Sequence, residues 1–391
     1  MEALSFCFPF CVDPEHDLRM TERKHIVVVG GGIAGLSLAS ELAHDNEVTL
    51  LEAEMQPGYH STGRSAAVFV IPFVNDVVHR LSVASERFFV EPPKGFDRLS
   101  QRLTNVLVAE ADNADQVTAF LDAWSRRCPW LQRVTGGAIL DEVPILKKEI
   151  VCGARDERSL ALDVHNILEG HRRRLLERNG SIETHARVVE MSWQADRWRV
   201  ELDNGKVRFG DMLINAAGAW ATEVAELAGA VEVSLQPKRR TGIIVDPGVD
   251  STSWPMIHVA SGDLYFKPEA SMLMVSPADE TDSAPCDAQP DEWDVAVGMD
   301  RLNQLVTIDI DRPERTWAGL RSFVPDRAPV IGFDPQAPCF FWLAAFGGFG
   351  VQTSPAYSRM ASGLINDESL PDDLEALRKL VAPDRPNLDR G

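Results

Sequence analysis

The chain reads as an α/β protein built on an N-terminal strand, turn and helix, and three features of the sequence predict this. From His25 a β-branched apolar burst runs straight into glycines and then into an Ala/Leu pattern at helical spacing. A second apolar run, residues 47–52, ends in the acid Glu52 about twenty residues after the glycines. Far downstream, residues 212–220 carry a buried-strand pattern that breaks at Gly218, and residues 346–354 form a glycine turn opening a C-terminal helix.

Each element has a physical task. Gly30, Gly32 and Gly35 occupy the G-x-G-x-x-G positions. The first permits a tight turn, the second lets a pyrophosphate approach the backbone, and the third lets helix pack on strand. Ile33 and Ala34 begin the helix, whose free N–H groups and positive end face an anion. Glu52, followed by Ala53, stands where a carboxylate binds the hydroxyls of an adenosine ribose. Glycines alone are a weak signal, but glycines followed by this strand and acid point strongly to a dinucleotide.

FAD and NAD share such a unit, and the next segment separates them. Residues 56–67 are rich in glycine and hydroxyls, including Ser61, Thr62, Gly63, Arg64, Ser65 and Ala67, where an NAD domain would launch its next helix and strand. A stretch of this kind can cover a buried pyrophosphate and a flavin ring, so FAD is expected. The helix that follows residues 346–349 could stabilise negative charge near N1 and C2=O of a reduced isoalloxazine.

With 391 residues and 45% hydrophobic content the chain can bury a large core in two or three domains. The formal charge of -20 is spread through the sequence, which argues against nucleic acid as a partner. Six cysteines (Cys7, Cys11, Cys128, Cys152, Cys286 and Cys339) are too sparse for a disulfide scaffold, and none makes a zinc-spaced cluster. No metal is expected. A reducing cytoplasm fits, with the protein free or peripheral to the inner membrane. Residues 3–12 are apolar but too short to span a bilayer, and Glu2 precedes them instead of basic residues. Residues 1–23 are therefore read as a disordered extension of which 1–19 is dispensable. Tryptophan spacing shows no repeat.

Residues 56–67, 235–240, 254–256, 265–268, 316–323 and 347–354, within a likeness that covers about 24–383, resemble the D-amino acid oxidase superfamily. Within it the chain is most similar to the D-arginine dehydrogenase branch. The resemblance implies a Rossmann-type FAD-binding domain interleaved with a substrate domain built on a mixed β-sheet with flanking helices. Expected segments are 24–75, 160–228 and 320–391 for the first, and 76–159 and 229–319 for the second. It also implies further flavin contacts at Val188, Ala217, Gly218, Trp220, Gly350, Val351, Gln352 and Thr353.

An α-amino acid presents a carboxylate, and a site that holds one away from water favours the planar, permanently charged fork of arginine. Arg240 and Arg321 are the candidates. The resemblance implies that both, with Tyr265, bind a substrate carboxylate, and that Gly348 meets the substrate through its backbone. Read without it, Arg240 could equally be an exposed charge on a strand and Tyr265 a core aromatic. Arg321 has the stronger case, because its flanks are apolar and a lone buried charge is costly.

The chain departs from that branch where a cationic side chain would be held. The branch's histidine falls on Val68, a tyrosine on Phe73, and its guanidinium-binding glutamate near Thr104 or Asn105. A pocket wall of Val68, Val70, Phe73 and Met256 favours a neutral or apolar side chain. The expected reaction is therefore hydride transfer from Cα of a neutral D-amino acid to flavin N5, giving an imino acid that hydrolyses to a 2-oxo acid and ammonia. The electron acceptor stays open, as do the oligomeric state and the alternatives of an N-substituted amino acid, a 2-hydroxy acid, or a flavin-binding subunit of a larger complex. His60 is read as positioning the 56–67 segment at least as readily as doing acid–base work, and His79, His165 and His258 as surface or core residues. Residues 279–294 and 371–389 are read as solvated loop and C-terminal cover without chemistry.

Overall fold

A computed structural model describes residues 23–72 and 75–388. The expectations for residues 1–22 and for Phe73 lie outside the described residues.

The β-branched burst forms the strand His25–Val29, four of whose five residues are buried. It occupies the centre of a six-stranded sheet in the order Val330–Phe333, Phe340–Ala344, Met212–Asn215, His25–Val29, Glu47–Leu51, Ser181–Glu183. All neighbours in it are parallel except the first pair. Near-continuous apolar strands are what a parallel sheet covered on both faces requires. On one face lie the helices Ile33–Leu42, Val164–Glu177 and Gly350–Asn366, with Asp76–Val90 packed on the last of these. On the other, an antiparallel meander (Val188–Gln194, Arg197–Leu202, Val207–Gly210) and the helix Ala221–Ala228 enclose a second core around Trp198, Phe340 and Trp342.

A nine-stranded mixed sheet forms the second unit. Its strands run in the order Thr281–Asp282, Gln236–Val245, Met272–Ser276, Tyr265–Glu269, Met256–Val259, Asn105–Glu110, Ile150–Asp156, Gln132–Thr135, and Arg315–Phe323 pairs with Gln236–Val245 over nine residues. Helices Gly136–Glu142 and Glu292–Leu305 flank it, the latter packing on Gln236–Val245 and Met272–Ser276. Its opposite face turns toward the glycine turn of the first unit. Strand alternation sorts the residues: Ile243, Val275, Ile257 and Phe266 enter the helix-covered core, while Ile244, Met274, Met256 and Tyr265 share a cluster on the other face.

Two of the expected boundaries move. Residue 320 falls inside the strand Arg315–Phe323, all of which belongs to the large sheet. The helix Asp76–Val90, expected with the substrate unit, puts Val77 and Leu81 into the core beneath the parallel sheet. Residues 371–388 cover the chain as expected but are not simply solvated, because Leu374, Leu377 and Val381 are fully buried in that same core. Arg385 also pairs with Asp326 at 2.8 Å.

Gly35 is where the sequence reading of helix on strand can be checked by distance. A Cβ there would lie 1.9 Å from the carbonyl oxygen of Gly30, a backbone atom that cannot step aside. Gly35→Ala is expected to destabilise the fold by about 1–3 kcal/mol through overpacking, read as a lowered midpoint in urea at unchanged slope. An unchanged midpoint would show that helix and strand can separate at no cost.

Candidate functional site

The glycine turn is held from both sides. Gly30 has φ +106°, and a Cβ on it would stand 2.4 Å from Ala216 O, so the turn lies directly against the end of the neighbouring strand. Glu52 ends its own strand buried beneath the turn. Its carboxylate accepts the N–H of Gly31 at 2.9 Å and of Glu54 at 2.8 Å. Burial raises its pKa, and the two backbone N–H groups oppose that rise. Thr62 Oγ1 accepts the N–H of Ile33 at 3.0 Å, tying the 56–67 segment to the first turn of the helix.

That segment also grips the large sheet. Ser61 Oγ donates to Leu320 O at 2.6 Å, and Arg64 donates to Ala288 O at 2.8 Å and Ala318 O at 3.0 Å while pairing with Asp287. Trp317 Nε1 donates to Arg64 O at 3.1 Å. The indole lies over Gly242, where a Cβ would come within 2.5 Å of its ring. His60 Nε2 meets Glu54 at 3.0 Å and its ring packs 4.7 Å from that of Trp220, which fits a positioning role. His79 is buried on Ile71 O, His165 is exposed, and His258 is half-buried with its ring 5.2 Å from that of Tyr265.

Between the glycine turn and the free face of the large sheet runs one continuous cavity. Of the expected flavin contacts, Gly30, Gly32, Ile33, Ala34, Glu52, Ala53, Ser61, Thr62, Arg64, Ser65, Val188, Ala217, Gly218, Trp220, Gly350 and Val351 line it, and so do Arg240, Tyr265, Arg321 and Gly348. Gly63 and Ala67 instead border an adjoining groove, and Gly35 is spent on packing. Gln352 and Thr353 do not face the cavity. The Gln352 side chain bridges the backbone of Val70 and Ser82, and the Thr353 hydroxyl donates back to Phe349 O, because both fall on the buried side of the helix. Val70 is thereby a main-chain clamp instead of a pocket wall. Val68 and Met256 pack in an apolar cluster with Tyr265 and Met274 but do not line the cavity.

The large sheet aims the charged groups. Arg240 and Arg321 sit on the two paired strands, with Lys238 opposite Arg321 and Gly319 opposite Arg240. Arg321 Nη2 lies 3.5 Å from the Tyr265 hydroxyl. A Cβ on Gly348 would lie 2.8 Å from Arg321 Nη1, so backbone meets guanidinium there. Among the described residues no carboxylate pairs with Arg321, and burial draws its pKa below the usual guanidinium range. Burial alone would push the Tyr265 hydroxyl up, but Arg321 and Arg240, with hydrogen bonding to Ser276 and Arg240, outweigh it and the phenol falls below its ordinary value.

Sequence reading missed five contributors. Met274, Trp317 and Gly319 line the cavity, and the period-two spacing of Trp317, Gly319 and Arg321 could have grouped them. Asp279 and Glu280 belong to a stretch read as idle loop, yet Asp279 O accepts Arg240 Nε at 2.7 Å and Glu280 accepts Arg240 Nη2 at 3.1 Å. Asn105, on a strand beside Met256, is buried with its Oδ1 unpaired among the described residues.

A glycine cradle against a strand end, a buried acid beneath it and a cavity leading to two arginines together describe a dinucleotide-dependent enzyme. Over residues 25–364 the chain matches the family model DAO, FAD dependent oxidoreductase, and it belongs to that family. FAD is its cofactor, and the residues around the turn fit it: the glycine backbone is bare toward the cavity and the Glu52 carboxylate is already ordered. FAD-dependent oxidoreductase domain-containing protein 1 of Xenopus laevis is 26% identical over 416 residues, covering 88% of this chain and 80% of that protein. Glycine oxidase of Pseudomonas aeruginosa is 26% identical over 368 residues, covering 89% and 95%. The fold is similar to that of glycine oxidase from Geobacillus kaustophilus, with a TM-score of 0.81 at 18% identity over 93% of this chain and 99% of that one. The family level of the expected resemblance is thus shown, whereas these relatives do not carry the finer likeness to D-arginine dehydrogenase. Among the described residues no helix is long and apolar enough to cross a membrane, and no group of three or more His, Cys, Asp or Glu could hold a metal ion.

Glu52→Ala removes the acceptor of two buried N–H groups and is expected to weaken FAD binding about 10–100-fold, since charge-assisted hydrogen bonds contribute on the order of 1.5–3 kcal/mol. Titrating apoprotein with FAD checks this, and an unchanged Kd would remove Glu52 from the cofactor site.

Proposed function

We propose that the protein oxidises the Cα–N bond of an α-amino acid with a neutral or apolar side chain, a D-amino acid in the first instance, to the imino acid and onward to the 2-oxo acid and ammonia. The observation that carries this reading is Arg321, a half-buried guanidinium that faces a cavity with Tyr265 beside it and no carboxylate partner among the described residues. A cation taken from water without a counter-ion is costly, so the site is built for an incoming anion. A substrate carboxylate between Arg321, Tyr265 and Arg240 answers that need.

Bound FAD supplies the redox step, accepting a hydride from the substrate at flavin N5. The chain orients and encloses. Holding the carboxylate at two points fixes the direction of the Cα–H bond, and Gly348 leaves room for substrate beside Arg321 because it has no side chain. The substrate amine loses its proton to solvent before the hydride leaves, and no side chain is assigned as its base. Met274 lines the cavity beside Tyr265 and packs with it in an apolar cluster, which supports a neutral side chain over arginine or lysine.

A second reading is glycine or an N-substituted amino acid, favoured by the likeness to glycine oxidase of Pseudomonas aeruginosa over 89% of the chain. Both use the same clamp and differ in what projects from Cα and nitrogen.

Anaerobic addition of D- and L-amino acids, glycine, sarcosine and 2-hydroxy acids to the flavoprotein tests these readings through bleaching of the flavin band. Neutral D-amino acids are expected to bleach it and D-arginine is not. Bleaching by glycine or sarcosine alone selects the second reading, and a yellow protein that nothing reduces sinks both. Arg321→Ala is expected to lower kcat/KM about 100-fold or more, equivalent to roughly 2.7 kcal/mol of lost transition-state binding.

A further inference from the structure

Arg240 and Arg321 line the same cavity but are not electrostatically equivalent. Arg240 is already engaged, with Nε donating to Asp279 O at 2.7 Å and Nη2 to Glu280 Oε1 at 3.1 Å. Glu280 is not dedicated to Arg240 alone. Arg327 holds the same carboxylate in a fork, Nη2 to Oε1 at 2.8 Å and Nη1 to Oε2 at 3.0 Å. Its own guanidinium lies 3.9 Å over the ring of Phe323, the last residue of the strand that carries Arg321. The side chain of Arg240 is 12% exposed, against 33% for Glu280 and 48% for Arg327, so the chain of charges runs from the cavity out to solvent.

We propose that Glu280 is a specificity-determining residue: by neutralising Arg240 it limits the clamp to a single net positive charge, so the site accepts a monocarboxylate and rejects a dicarboxylate.

Arg240, Arg321 and Arg327 are opposed by Asp279 and Glu280, three cations against two carboxylates. The remaining unit of charge sits on Arg321, the one with no carboxylate partner among the described residues. The Asp279 carboxylate accepts the Thr241 N–H at 2.7 Å and hydroxyl at 3.0 Å and Asp279 meets Arg240 through its main-chain oxygen, so Glu280 is the carboxylate that pairs with Arg240 directly. Glu280 stays ionised: burial pushes its carboxyl up, but Arg327, Arg240 and Arg321 pull it below the ordinary glutamate value. A second carboxylate on a substrate would meet a site whose one unmatched cation among the described residues is already used by the first, and it would feel Glu280 as a like charge. Glu280 acts through Arg240 and touches no reacting atom, so it is a positioning residue. The inference rests on the carboxylate clamp proposed above and deepens it by naming the charge class of the substrate.

Propionate and malonate have the same number of carbons and differ in charge, which makes them suitable probes. Each is titrated into the FAD-loaded wild type and into E280Q, E280D and R327Q while perturbation of the flavin absorption band is followed. Wild type is expected to bind propionate more tightly than malonate. E280Q should improve the ratio of malonate to propionate affinity about tenfold, and E280D, which keeps the charge, should leave it near wild type. R327Q frees Glu280 to act on Arg240 alone and should move the ratio the opposite way, about threefold. A merely structural role for Glu280 would change both affinities together. If E280Q leaves the ratio unchanged, or R327Q shifts it in the same direction as E280Q, the inference falls while the clamp stands. If neither acid binds the wild type, the clamp falls and the inference with it.

Discussion

A guanidinium with no carboxylate partner among the described residues is the constraint around which this protein is arranged. Arg321 stands at the meeting of two units, on a strand of the large sheet, with the backbone of Gly348 from the first unit against its Nη1. Burying a charge in this way costs several kcal/mol unless something pairs with it. The fold tolerates the cost by spreading it: Tyr265 offers an oxygen at 3.5 Å, and its phenol is polarised by the two arginines. Arg240 is kept in place by the main-chain oxygen of Asp279 and the carboxylate of Glu280, so the like charge beside Arg321 is partly cancelled.

Positioning of this kind demands that the two units do not drift, and the 56–67 segment prevents it. Thr62 is bound to the helix that follows the glycine turn, while Ser61 and Arg64 are bound to the strand that carries Arg321. Trp317 closes the connection by lying flat over Gly242 and donating to Arg64 O. The cover over the cofactor and the aim of the clamp are therefore the same set of contacts.

Much of this is legible in the sequence, and the boundary between what is and what is not has a physical origin. The glycine turn, Glu52 and the 56–67 segment are local patterns in which each residue type answers a need set by its immediate neighbours. Arg321 is legible for a related reason, because an isolated charge between apolar residues on a strand is an anomaly even before any fold is known. Glu280 is not legible, since an acid among Asp279, Asp282 and Pro285 looks like any solvated turn until strand pairing brings it to Arg240, forty residues earlier. Gln352 misleads for the opposite reason: it follows the glycine turn closely enough to suggest a cofactor contact, but the helix turns it inward to Val70 and Ser82. The helix Asp76–Val90 shows the same limit at larger scale, because an amphipathic pattern announces a buried face without saying which layer it meets.

The clamp also has a thermodynamic consequence for the whole chain. Burial lowers the pKa of Arg321, and repulsion from Arg240 pulls it down further. That repulsion is a cost borne by the folded state alone, because in the unfolded chain both side chains are hydrated and far apart. An anion entering the site removes the repulsion and pairs the desolvated charge in one step, so it binds the folded form and not the unfolded one. Substrate affinity and folding stability are in this sense drawn from the same interaction. A protein that relieved the strain permanently, by placing an acid beside Arg321, would be more stable and would have no reason to bind a carboxylate. The single unmatched cation is the compromise between those ends, and Glu280 keeps it single.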